Sequence, residues 1–230
     1  MLTTTARQDH PWYARRADPA YWHPAYDAAL QSCRVPLRPL GDFITHLAYG
    51  PIITRREPPA APEGVALVNQ GQIGPAGVDL REAVRVPEGC PWDRPSARLR
   101  AGDIVFARSG MGSLPKKRFA VFLSDEAAVV GSFVDIIRLD GLDPCYVMLY
   151  LKCELGWLQI HRLLNGVALP NISFDEVRGL RVALAPAELQ GECRRRVVEE
   201  ITPLCLAEPA EAFVRLQAAV HWLHGVLTSS

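Results

Sequence analysis

The order of the sequence patterns predicts an α+β fold. Short apolar runs divided by Gly and Pro fill the first part of the chain, and apolar residues at helical spacing fill the rest. An apolar content of 49% over 230 residues is enough to build one real core.

The first segment, residues 1–36, is an arm rich in aromatics and proline around Trp12, Tyr13, Tyr21, Trp22 and Tyr26. It offers little core of its own and ends in a short helix, Ala25 to Cys33, after which Pro36 and Pro39 interrupt regular structure. The body, 37–186, contains four strand-like runs: Val65–Val68, Asp103–Ala107, Phe119–Leu123 and Phe133–Leu139. Pro144 then opens a helix through Lys152, and Gly156 is expected to separate it from a second helix, Trp157 to Leu164.

The tail, 187–230, places Leu189, Cys193, Val197 and Ile201 four apart on one helical face until Pro203. A last helix begins near Pro209, with Phe213, Leu216, Val220, Leu223 and Leu227 at alternating spacings of three and four. That narrow seam pairs with another helix, either the chain's own first tail helix or a helix of a second molecule.

Charge narrows the function. With 25 Lys+Arg against 25 Asp+Glu the net charge is zero, so contact with nucleic acid must come from a local patch. No apolar run approaches the roughly 20 residues of a membrane span, and the polar start lacks a signal-peptide core, so a cytoplasmic protein with no membrane contact is expected. The six cysteines are scattered and read as reduced thiols, with no metal site.

Catalytic motifs are weak. Asp18-Pro19-Ala20-Tyr21 is like the D-P-P-Y tetrapeptide of adenine methyltransferases, but nothing upstream could form the strand and Gly-rich turn that hold a methyl donor. Arg108-Ser109-Gly110-Met111-Gly112-Ser113 lacks the spacing of a phosphate-binding loop, and no nucleophile elbow exists. No catalytic residue and no cofactor is expected.

The informative feature is the stretch from Ser96 to Ala120, where Arg98, Arg100, Arg108, Lys116, Lys117 and Arg118 face only Asp103, an excess of five positive charges. It suits either a nucleic-acid groove or a solvated loop. Arg55 and Arg56, with Gln70 and Gln72, favour the groove, because Arg and Gln pair bidentately with guanine and adenine edges.

Seven segments in order then resemble one family, the specificity subunits of type I restriction-modification systems. They are Asp18–Tyr26, Pro39–Asp42, Leu99–Gly110 (similar to "L-x-x-G-D-I-L-x-x-R-x-G"), Val130–Phe133, Asp143–Val147, Gly166–Ser173 and Pro186–Gln190. The resemblance covers about residues 13 to 190. It implies a small mixed-sheet, barrel-like target recognition domain followed by a C-terminal helical spacer, with no catalytic activity of its own. In this family a subunit usually carries two such domains, each reading half of a split site, so the chain is expected to be a half-length subunit or a recognition domain of a larger DNA methyltransferase. Pro203 and Pro209 depart from the family's long unbroken spacer helix.

The implied partners are double-stranded DNA, a methyltransferase (modification) subunit, a restriction subunit and a second copy in a homodimer. The expected DNA contacts are Arg55, Arg56, Gln70, Gln72, Arg108, Ser109, Lys116, Lys117 and Arg118, with Arg108 either reading a base or stabilising its loop. Gly102, Asp103, Gly166 and Asn171 are expected to be structural. The dimer or partner interface is placed at Phe213, Leu216, Val220, Leu223 and Leu227, or at the aromatic arm of Trp12, Tyr21 and Trp22. The rival reading is a protein-interaction scaffold that does not read DNA.

Overall fold

The computed structural model describes residues 19–53, 57–74, 77–110, 114–164 and 171–229. The arm enters through a 3-10 turn, Pro19–Trp22, and helix α1, Pro24–Gln31. Pro24 fits the first helical position, where no N–H is needed, and His23 Nδ1 accepts from the Ala25 N–H at 3.3 Å. The arm contributes more to the interior than its composition suggests. Tyr21 and Trp22 are buried in the main core, their rings edge to face at 4.9 Å. Trp12 and Asp18 lie outside the described residues.

The body carries β1 (Leu37–Pro39), β2 (Ile44–Tyr49), β3 (Val65–Val68), β4 (Arg85–Val86), β5 (Ile104–Ala107), β6 (Phe119–Val121), β7 (Ala128–Val130), β8 (Val134–Leu139) and β9 (Arg181–Ala183). They form three open sheets, ordered β2-β8-β5-β6, β4-β3-β7 and β1-β9, and all pairs are antiparallel except β3 with β7. Alternation along the four-stranded sheet explains the layering. Ile104, Phe106, Phe119, Val121 and Ile137 face the helices, while Val105, Ala107, Ala120, Phe122, Val134 and Ile136 face the three-stranded sheet. Strands covered on both faces read as continuous apolar runs, which is why the sequence betrays them.

Helix α2, Pro144–Lys152, is buried from Cys145 to Lys152 and forms the centre of the helical layer. Asp143 caps its first turn, accepting from Cys145 N at 2.8 Å. The break before α3, Glu154–Leu164, falls at Cys153 with extended backbone, and Gly156 lies inside α3. A Cβ on Gly156 would stand 2.2 Å from the Tyr150 carbonyl oxygen, so the glycine permits close approach of two backbones and does not mark a linker. Helix α4, Phe174–Gly179, opens with a capping box of Ser173 and Glu176.

In the tail, α5 (Ala187–Arg195) passes into a π-helical stretch, Arg196–Ile201, then α6 (Leu204–Ala207) and α7 (Pro209–Thr228). Pro203 offers no N–H to continue the α-pattern, and the Thr202 N–H reaches five residues back to the Val197 carbonyl at 2.9 Å. The seam on α7 faces inward against α2 and the π-helical stretch. Leu216, Leu223 and Leu227 are buried in the same core as Cys193, Val197 and Ile201. This corrects the placement of an intermolecular interface on those three leucines, whose spacing serves the chain's own interior. Phe213 is exposed and Val220 is half-buried.

Among the described residues no helix is long and apolar enough to cross a membrane, and no cluster of His, Cys, Asp or Glu could hold a metal ion. The six thiols are free, and burial pushes those of Cys145 and Cys193 up to about 12.

Candidate nucleic-acid interface

One end of the sheet layers gathers most of the residues expected to bind DNA. The pairings Tyr49 with Asp135, Ala107 with Val134 and Val68 with Val130 put the ends of β2, β3, β5 and β7 and the start of β8 on one rim. The loops leaving that rim begin at Gly50, Asn69, Arg108 and Gly131. Two of these loops start at a glycine that close approach of a neighbouring loop requires. A Cβ on Gly50 would fall 1.8 Å from the Val130 carbonyl oxygen, and one on Gly131 2.1 Å from Asn69 Oδ1.

Hydrogen bonds lock these loops together. Gln70 Nε2 donates to the carbonyls of Ser109 at 2.7 Å and Phe133 at 3.3 Å. Arg118 Nη1 donates to the Gln70 carbonyl at 3.1 Å, and the Arg108 N–H to that of Phe133 at 3.2 Å. Ser109 bridges to Asn171, and the Ile172 N–H donates to the Arg108 carbonyl at 3.1 Å. Gln72 closes a capping box with Asn69. Four of the expected contacts, Gln70, Arg108, Ser109 and Arg118, thus form one connected rim. Lys116 beside them is exposed, with no hydrogen bond or ion pair to another described residue. Arg55 and Arg56 lie outside the described residues.

Arg108 is held from two sides. Its guanidinium covers the Tyr49 ring at 4.3 Å, and its Nε lies 3.4 Å from Asp135 Oδ1. Tyr49 in turn meets the Phe174 ring at 5.6 Å. Asp135 is 0% exposed, and neither carboxylate oxygen has a hydrogen bond among the described residues. Burial pushes its carboxyl up to about 7, against the opposing pull of Arg108. Both expected roles of Arg108 therefore remain compatible with its place: it stabilises the loop, and its side chain stays 16% exposed at the rim.

Lys117 departs from the expectation. It turns away from the rim, with positive φ of 51°, and its Nζ donates to the Lys152 carbonyl at 2.8 Å over the Trp157 ring at 4.7 Å. Lys152 Nζ reciprocates, donating to the Lys117 carbonyl at 2.7 Å above the Phe119 ring at 4.2 Å. The two ammonium groups sit at the C-terminal end of α2, where the unpaired carbonyls and the helix dipole favour cations. Burial lowers the proton affinity of both. Lys117 is thereby corrected from a phosphate contact to a tie between hairpin and helix.

The basic stretch is also divided. Arg98 lies at the opposite end of the layers, bridged to Val129 and paired with Asp93 at 2.7 Å and Glu88 at 2.8 Å. Asp103 accepts from Arg138 Nε at 2.7 Å and from the Arg100 N–H at 2.8 Å, the structural role expected of it. Sequence reading passed over Tyr49, Asp135 and Phe133. The one available signal was Asp135, a lone carboxylate in the apolar run Phe133–Leu139.

No family model matches the chain, and no curated protein matches it. Solved structures do. The type IIG restriction endonuclease BpuSI superposes with a TM-score of 0.56 at 6% identity, over 96% of this chain and 33% of that one. The HsdS subunit from Thermoanaerobacter tengcongensis gives 0.49 at 14% identity, over 90% and 50%. The type I restriction-modification S subunit from M. genitalium gives 0.47 at 17%, over 72% and 39%. The chain spans between a third and a half of the length of these structures. At such identities the likeness is one of fold: a mixed α+β chain of open sheets with C-terminal helices.

Proposed function

We propose that the rim of Gln70, Arg108, Ser109, Lys116 and Arg118 reads duplex DNA, and that the chain acts as a non-catalytic specificity component of a restriction-modification system. The observation that carries this reading is the convergence of basic and hydrogen-bonding side chains from separate loops on rigid strand ends. The sequence resemblance to type I specificity subunits supports it. A methyltransferase subunit, and with it a restriction subunit, would supply the chemistry. The exposed Phe213 and Val214 on α7 offer such a subunit, or a second copy of this chain, an apolar place to dock.

A second reading, a recognition segment within a larger restriction enzyme, draws on the fold likeness to BpuSI, a third of whose chain is covered. Both readings share the DNA-reading rim. Selection from a randomised duplex library tests it: the chain should enrich one short motif, and Arg108→Ala should relax one position of that motif by about 1–3 kcal/mol. Recovery of random sequence would contradict the reading.

A further inference from the structure

The rim displays large apolar side chains to solvent, Ile52 at 64% and Phe133 at 59% exposure above all, beside strands whose apolar residues are buried. Phe133 is not a slack loop residue. Its carbonyl accepts from Arg108 N and Gln70 Nε2, and the turn before it is closed by Gly131 N to the Val68 carbonyl at 2.9 Å and Val134 N to the Gly131 carbonyl at 3.2 Å. A phenyl ring on a backbone tied at both ends is presented outward at a standing cost in hydration, which a bound partner would remove. Pro51 and Ile53 line one cleft with Gly131 and Ser132, so Ile52 and Phe133 stand on adjoining loops.

The surroundings identify that partner. Arg108, Arg118 and Lys116 give the rim a cationic character complementary to a phosphate backbone, and the apolar group that a base edge presents in the major groove is the thymine methyl. The Tyr49 ring, 37% exposed, is stacked by Arg108 and meets Phe174, so Phe133 at 59% is the more exposed and less engaged of the two rings. We propose that Phe133, flanked by Ile52, reads the 5-methyl group of a thymine in the bound duplex; this inference rests on the DNA-reading rim proposed above.

The test uses the full chain and the duplex it selects, with each thymine replaced in turn by uracil, which lacks only the methyl. At one position the wild type should lose about fourfold in affinity, the effect of one buried methyl-sized group. Phe133→Ala should bind thymine and uracil duplexes equally, Phe133→Leu should keep most of the preference, and Ile52→Ala should reduce it. Both positions are exposed, so the variants should retain the wild-type melting temperature. A selected site without thymine, equal wild-type binding of both duplexes, or an unchanged preference in Phe133→Ala would overturn the proposal while leaving the DNA-reading rim intact. So would a Phe133→Ala loss that is the same on both duplexes, the mark of a wedge between base steps. Absence of any salt-dependent duplex binding would instead overturn the rim, and this inference with it.

Discussion

Arg108 Nε lies 3.4 Å from the buried Asp135 carboxylate while the same guanidinium covers Tyr49 at 4.3 Å. The pair sits where β5 ends and β8 begins, so a charge usually found in solvent is built into the base of the proposed reading surface. Its arginine is preorganised by the ring beneath it, and its carboxylate is only partly compensated.

Burial at Asp135 has a pH signature. The carboxyl is pushed up to about 7 in the folded chain, so between about pH 4 and 7 the folded state holds a proton that the unfolded state has lost. Its contribution to stability is full below the ordinary carboxylate range and is lost as pH rises through about 7. Asp135→Asn should gain on the wild type across that window, by up to about 1.4 kcal/mol per pH unit. Urea midpoints at pH 4.5, 6 and 8 measure this; parallel profiles would show that the carboxylate is compensated in a way its contacts do not reveal.

Lys152 gives the opposite slope. Its side chain is buried without a carboxylate partner among the described residues, and burial lowers its proton affinity well below that of a solvated lysine. For a base depressed in the folded state, stability rises with pH toward the unfolded value. The wild type should therefore gain on Lys152→Met between pH 7 and 9.5, with thermal melts of both proteins as the readout. A constant difference would mean that Lys152 keeps its charge in the fold throughout that range.

The seam on α7 separates interior from surface. Leu223→Ala should cost about 2–5 kcal/mol, as a large-to-small change in a filled core does. Phe213→Ala, at 46% exposure, should stay within about 0.5 kcal/mol in the isolated chain. Denaturant titration distinguishes them, and equal small effects would return Leu223 to an intermolecular role.

Much of the fold was legible because burial on both faces writes itself as an apolar run: Val65–Val68, Ile104–Ala107 and Phe119–Val121 are visible without coordinates. The strand Ile44–Tyr49 was passed over because Thr45 and His46 break its pattern, and Arg85–Val86 and Arg181–Ala183 exist only through their partners. Gly156 misled because a glycine demanded by close packing looks the same in sequence as one that ends a helix. Local charge pointed to the hairpin of β5 and β6 but could not show that Lys117 folds back onto Lys152, nor that Arg98 is already paired at the far end. An alternation of threes and fours says that a helix is paired and is silent on whose helix it meets.

The central claim, a DNA-reading face on the rim that holds Arg108 and Lys116, is tested most directly by duplex binding across a salt titration. Engagement of about four phosphates should give a log-log slope of roughly −3 to −4. Lys116→Ala should make that slope shallower by about one, whereas Arg100→Ala, in the stretch at the opposite end, should leave it unchanged. A flat wild-type titration, or equal effects of the two substitutions, would contradict the account.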